Sequence, residues 1–258
     1  MREVLDDMPM WIQAFLWGAI GGGALLIGAA ASWLWRIPPK AVSTIMAFGA
    51  GVLISALAFE LVGEAAESGG LLPTATGFLV GAVIFVAANS LLARKGAHHR
   101  KRSGDQQPAE ADQAGSGTAI AVGSLLDGIP ESLVLGLGLV GAGSVSPAML
   151  AAVFISNVPE GLSSSAGMKR AGRSAGFVFG VWAVIAVLCG VSSALGFLLL
   201  EGAPEEAIAF ITSLAAGAIL AMLADTMIPE AFEENHLLTG LTAATGFVVA
   251  FAIHTAGG

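Results

Sequence analysis

Two stretches of this chain place carboxylates where they could do chemistry: Asp127-Gly128-Ile129-Pro130-Glu131-Ser132 and Ser156-Asn157-Val158-Pro159-Glu160-Gly161. Each lies within a long apolar run, and each has Pro-Glu at its centre. Asp127 and Glu131 are four residues apart, so a helix puts them on one face, and Ser156 and Glu160 repeat the spacing. A proline inside a helix removes one backbone donor and displaces the carbonyl four residues earlier. Those carbonyls belong to Leu126 and Ile155. Two such helices side by side make an oxygen-rich pocket of Asp127, Glu131, Ser156, Asn157 and Glu160. A charge at the centre of a bilayer costs about 2.5–3.5 kcal/mol or more. The apolar runs hold no Lys or Arg near these acids, so the carboxylates must bind cations or hold protons.

Other acids and imidazoles lie toward the ends of apolar runs. Glu60 and Glu64 stand near the end of the second run, where they could attract cations. Asp225, Glu230, Glu233, Glu234 and His236 stand at the end of the seventh, where they could receive them. His98 and His99 read as part of a solvated loop, and His254 as structural or exposed. Ser192 and Ser193 read as backbone hydrogen-bonders or extra oxygen donors. The chain has no His-Glu-x-x-His zinc site and no Walker phosphate loop. It also lacks a Gly-x-Ser-x-Gly elbow. No enzyme activity or ATP drive is expected.

The elements that must hold these groups are membrane helices. The chain is 55% hydrophobic and 12% charged, against about 25% charged in soluble domains. Its 35 glycines favour close helix packing. The runs are too long and continuous for the alternating strands of a β-barrel. About 20 apolar residues make a span, which predicts an all-α integral membrane protein, one transport domain over 1–258 with eight transmembrane helices. These cover roughly 10–35, 42–64, 72–93, 118–140, 147–168, 175–200, 205–229 and 237–256. The segment 94–117, basic at its start and Gly/Ser-rich at its end, reads as a flexible cytoplasmic loop. Arg36, Lys40, Arg94, Lys95, Arg100, Lys101, Arg102, Lys169, Arg170 and Arg173 all fall between runs on one side. That side is assigned to the cytoplasm, with both termini outside. No signal peptide is expected from the acidic first residues, which favours a bacterial inner membrane. The net charge of −8 speaks against a nucleic-acid partner, and Cys189 can form no disulfide within the chain.

The runs also repeat. Ala50-Gly51-Val52-Leu53-Ile54 aligns with Ala216-Gly217-Ala218-Ile219-Leu220, and Gly63-Glu64-Ala65 with Pro229-Glu230-Ala231, at one offset of 166 residues. Five helix steps separate the pair, so the two helices should run in opposite directions. With the antiparallel Pro-Glu pair between them, this predicts a 3+2+3 inverted repeat, an arrangement of alternating-access carriers.

The paired Pro-Glu motifs, the Ile228-Pro229-Glu230 end of the seventh run, the eight spans and the variable loop after the third resemble the ZIP (Zrt/Irt-like) family of divalent-metal transporters. The resemblance implies import of zinc, iron or manganese (and cadmium by the same chemistry), through a site between the fourth and fifth helices. It also implies rocking of helices one, four, five and six against the other four. Departures from the family pattern cluster at that site. Asp127 and Gly128 stand where the family usually has His-Asn, and Ser156-Asn157 where it usually has His or Gln followed by an acid. Ser193-Ala194 replaces a Glu often found before proline on helix six. One ion held by Asp127, Glu131, Asn157 and Glu160, with help from Ser156, is expected rather than two. Oxygen donors suit manganese and other hard ions better than imidazole does, so manganese joins zinc and iron as a candidate. Metal ions and lipid are the expected partners, with homodimerisation an option. A transporter-like protein that responds to metal without moving it, and a proton-coupled carrier of an organic solute, stay open as alternatives.

Overall fold

The computed structural model describes residues 8–141, 143–234 and 236–257. Among them every regular element is helical. The chain runs through α1 (Met10–Leu34), α2 (Pro39–Gly69), α3 (Leu71–Ala97), α4 (Ser116–Gly141), α5 (Pro147–Arg170), α6 (Ala175–Leu200), α7 (Glu205–Ala231) and α8 (Thr239–Gly257).

Seven of these are long and apolar enough to cross a membrane. The exception is α5, one of the eight expected spans. It has 24 residues, enough length at about 1.5 Å per residue, but its polar run of Ser156, Asn157, Glu160, Ser163, Ser164 and Ser165 dilutes its apolarity. All six of these side chains are buried. A helix this polar is tolerated when protein surrounds it, and α5 packs against α1, α2 and α8. The peripheral helices show the reverse. On α3, Leu79, Val83 and Ile84 are exposed, and on α8 Leu241 and Val248. Such faces suit lipid. The architecture is that of a multi-pass membrane bundle.

Glycine permits the closest contacts. A methyl group at Gly51 would overlap the carbonyl oxygen of Ala243 on α8, and one at Gly217 would overlap that of Phe78 on α3. Positions 51 and 217 are the repeat partners seen in the sequence. The same offset relates the helix geometry. The regular part of α2 is Pro39–Ala56 and that of α7 is Glu205–Met222. Each then loosens into a π-helical turn, at Leu57–Gly63 and Leu223–Met227 respectively. π turns recur at functional sites because they rotate side chains out of the regular register. Here one carries Glu60 and the other Asp225. Prolines account for the starts: Pro39 opens α2 and Pro147 opens α5, where the missing N–H is one the helix would not use.

The basic connections gather at one end of the bundle. Lys169 at the end of α5 donates to Trp33 O at the end of α1, at 3.0 Å. Arg170 and Arg173 pair with Asp105 and Glu110 of the segment between α3 and α4. That segment departs from the sequence expectation of a flexible loop over 94–117. Its first residues continue α3 as a π turn, Ala93–Ala97. Its middle then folds into the bundle, leaving Arg100 0% and Lys101 4% exposed. Gln107 Nε2 donates to Arg100 O, Arg102 O and Ser164 O at 3.0–3.1 Å. Composition had suggested a solvated segment; the uncompensated carboxylates inside the bundle give its cations a reason to enter.

Candidate ion site between α4 and α5

Pro130 and Pro159 lie inside α4 and α5, which stay helical through them. Asp127, Glu131, Ser156, Asn157 and Glu160 are all buried. Asp127 is eleven residues from the start of α4 and Glu160 ten from the end of α5, about 15 Å along either helix from the basic end.

The acids do not lack cations, as the sequence implied. Arg100 grips Asp127 with both arms of its fork, Nη2–Oδ1 2.6 Å and Nε–Oδ2 2.8 Å. Bidentate pairs of this kind are the strongest of the charge-assisted hydrogen bonds. Burial alone would lower the guanidinium's pKa; the charge and hydrogen bonds of Asp127 outweigh it, so Arg100 is held above its ordinary value. The Lys101 ammonium lies 2.6 Å from Glu160 Oε2 and 3.4 Å from Asp127 Oδ2, bridging α4 and α5. Arg100 Nη1 also donates to Asn89 Oδ1 at 2.7 Å, and Asn89 Nδ2 to Asp225 Oδ2 at 3.0 Å. A chain of polar contacts therefore links α3, the basic segment, α4 and α7.

Glu131 is the exception. Neither of its carboxylate oxygens, both buried, has a hydrogen-bond partner among the described residues. The amide of Asn157 lies close enough to interact with Glu131 without well-aligned hydrogen-bond geometry and donates to Gly21 O on α1 at 3.0 Å. Glu160 Oε1, Ser124 Oγ and Ser164 Oγ are buried and unmatched too. A residual cavity of about 10 Å³, lined by Lys101, Ser124, Gly128, Asn157, Glu160 and Ser164 among others, lies beside them, with room for about one water. Unmatched buried oxygens are costly, at about 1–3 kcal/mol each, and this concentration of them is the oxygen-rich environment that a hard cation would satisfy. The Ser156 hydroxyl donates its proton to Val153 O at 3.0 Å, which leaves its oxygen lone pairs free. With Lys101 between the helices, no three His, Cys, Asp or Glu side chains among the described residues converge closely enough to hold a metal ion.

The outlying acids divide between the two ends. Glu230, expected at a mouth, is fully buried. Its Oε1 accepts from the amide and hydroxyl of Ser103 and lies 3.0 Å from the Ser163 hydroxyl, whose single proton it shares with Lys101 O at 2.6 Å. Arg102 reaches Glu230 at 3.7 Å and pairs closely with Glu233, and Gln106 donates to Glu233 as well. Glu234 and His236 are exposed. At the other end, Glu60 and Glu64 line an open cleft of about 630 Å³ with Ser68, Ser146, Glu205 and His254. His254, read from the sequence as structural or exposed, is partly exposed, and its Nδ1 meets Glu60 Oε1 in a close pair. Ser192 donates to Ile129 O at 3.2 Å, and Ser193 is buried without a partner among the described residues.

The sequence reading missed Arg100, Lys101, Ser103, Asn89, Ser163 and His254. Arg94 and Lys95 at the end of α3 and Arg100, Lys101 and Arg102 just after it, beside three unneutralised buried acids, were the available signal for the first two. Asn89 and Ser163 lie on helix faces that no local pattern distinguishes.

No protein-family model matches the chain. A protein of Arabidopsis thaliana carrying the name "putative zinc transporter" is 26% identical over 222 residues, which is 85% of this chain and 34% of that protein. The chain thus spans about a third of the length of this relative.

Proposed function

We propose that this protein transports divalent metal cations across a membrane, using a midplane site between α4 and α5. The observation that carries this reading is the pair of buried, unmatched Glu131 oxygens facing Asn157 and close to Asp127 and Glu160. Intramembrane acids mark ion pathways far more often than they serve packing. Resemblance to a protein named as a zinc transporter supports metal as the cargo. In this reading Asp127, Glu131, Asn157 and Glu160 bind one ion, with Ser156 or the Ser124 and Ser164 hydroxyls assisting. Zinc, iron, manganese and cadmium are the candidate ions. The wholly oxygen donor set raises manganese.

The fold we infer for transport is a 3+2+3 inverted repeat of eight spans, α5 counted among them. It is supported by the coincidence of the regular parts of α2 and α7, 18 residues each, and of the start of their π turns at one offset of 166. The basic end is assigned to the cytoplasm of a cell inner membrane, with both termini outside, and flux runs inward. Ions enter through the cleft of Glu60 and Glu64, pause at the Pro-Glu pocket and leave past Asp225, Glu230, Glu233, Glu234 and His236. No enzymatic step is involved.

One observation favours a second reading. Arg100 and Lys101 already neutralise Asp127 and Glu160, so the chain could be a non-transporting membrane protein whose ion pairs are permanent. Flux into proteoliposomes separates the two. The purified protein should carry Mn²⁺, Zn²⁺, Fe²⁺ or Cd²⁺, and a Glu131→Ala/Glu160→Ala variant should lose at least tenfold of that flux while inserting normally. No flux of any of these ions by correctly inserted wild type would sink the transporter reading.

A further inference from the structure

We propose that the segment Arg100-Lys101-Arg102 is a built-in latch, whose cationic side chains occupy the acidic site in place of the transported ion and close its basic end until a metal displaces them. The inference rests on the reading of the Pro-Glu pocket as a metal site.

The geometry is that of a substitute ligand. Lys101 places one positive charge between Asp127 and Glu160, where an ion bridging α4 and α5 would have to sit. It fills the site's charge requirement only in part. Three carboxylates, Asp127, Glu131 and Glu160, meet two cations, and the oxygens left over are those of Glu131 and one of Glu160. An ammonium donates in three directions but cannot be coordinated by five or six oxygens around its centre, as a divalent ion can. A divalent ion therefore has something to gain by replacing it.

The bundle has a fitted seat for the segment. A methyl group at Gly123 of α4 would overlap the Arg100 side chain, and one at Gly167 of α5 would overlap Arg102 O and the Gln107 amide. Ser163 donates to Lys101 O at 2.6 Å, so α5 holds the segment's backbone as well as its charge. Glu230 and Glu233 then hold Ser103, Arg102 and Gln106. The segment thereby covers the same acids through which an ion would leave. Residues on α4, α5 and α7 all close on it, whereas the opposite end keeps its open cleft.

Bonds from the pocket and bonds at the exit thus belong to one short stretch of chain. An ion that takes Glu160 and Asp127 from Lys101 and Arg100 removes the inner anchors. Of the outer ones, those at Arg102 and Gln106 lie in partly solvated surroundings, where ion pairs contribute about 0–1 kcal/mol, and the bonds from Ser103 to buried Glu230 are the stronger hold. With the inner anchors lost, that one clasp is left to keep the segment in place, so the segment should loosen and the exit open.

Titration of the purified full chain with Mn²⁺ and with Zn²⁺ tests this, read by calorimetry and by hydrogen exchange of the backbone amides over 98–107. Exchange should rise at least tenfold when metal saturates the wild type. Lys101→Gln should bind metal about tenfold more tightly and show raised exchange before any metal is added. Glu131→Gln on the Lys101→Gln background should abolish that binding, which ties it to the pocket. Metal binding with exchange over 98–107 unchanged would overturn the latch and leave the transport site standing. Weaker binding by a folded Lys101→Gln protein would likewise overturn it, making Lys101 a supporting residue. Absence of metal binding by both proteins would overturn the site reading and the latch with it.

Discussion

Glu64 and Glu230 occupy corresponding positions in α2 and α7, yet their surroundings are opposite. Glu64 is exposed beside a cleft of about 630 Å³. Glu230 is 0% exposed and accepts from the amide and the hydroxyl of Ser103, with the Ser163 hydroxyl shared between it and Lys101 O. The helices that carry them match in the length of their regular parts, in the onset of their π turns and in the close glycine contact at positions 51 and 217. What differs is the cover. The segment after α3 lies over the α7 end, and nothing among the described residues lies over the α2 end in the same way. The comparison teaches that one end is closed by an appended piece of chain rather than by a different helix scaffold.

The shared scaffold can be broken from either side. Gly51→Leu and Gly217→Leu each force a side chain against a carbonyl oxygen of a neighbouring helix, Ala243 or Phe78. Overpacking typically costs about 1–3 kcal/mol, and more where backbone must move. Both variants should lose at least that much stability, to a similar extent, in thermal unfolding in detergent. A tolerated Leu at one position and not the other would show that the two contacts are not equivalent.

The cover gives the next largest effect. Glu230→Ala leaves the Ser103 hydroxyl and amide without their acceptor, which should cost about 1–3 kcal/mol and loosen 98–107 toward proteolysis. Glu64→Ala removes an exposed side chain and should stay within about 0.5 kcal/mol of wild type. Equal losses in the two variants would remove the distinction between the ends.

The scaffold was legible in the sequence because apolar run length, Pro-Glu motifs and a fixed repeat offset are local patterns. The positions of Asp127, Glu131, Asn157 and Glu160 on facing helices followed from spacing alone. The cover was not legible, because charge-rich composition has two physical meanings. Arg100 and Lys101 look like solvated loop residues until the unpaired acids of α4 and α5 are counted against them. Counting the basic residues only for orientation left Asp127 and Glu160 without partners that were about 26 and 59 positions away in the chain, pairings no periodicity reveals. Glu230 was placed at a mouth for a related reason: the end of an apolar run reads as solvent, and only the folded segment shows otherwise. His254 falls in the same class, since its partner Glu60 lies 194 residues earlier.

The smallest effect expected concerns acid. His99 begins the covering segment, and burial lowers its pKa from the ordinary value of 6.5, helped by His98 and Arg102, while Glu233 opposes the shift. A histidine held neutral in the folded state takes up a proton more readily once the segment is released. The folded contact is therefore fully favourable above about pH 6.5 and weakens as pH falls below it toward the depressed value. The clamp at the segment's other end does not titrate in that range. Glu110 accepts from Arg173 and from the amides of Gly115 and Gly117 at the start of α4, which hold its carboxyl down at about 2. Hydrogen exchange over 98–107, corrected for its intrinsic pH dependence, should rise by a few-fold between pH 7 and pH 5.5, while the amides of Gly115 and Gly117 stay protected. A His99→Gln variant should show no such rise. Equal loosening at both ends of the segment, or a rise that survives His99→Gln, would mean that acid acts on the whole bundle and not on the cover.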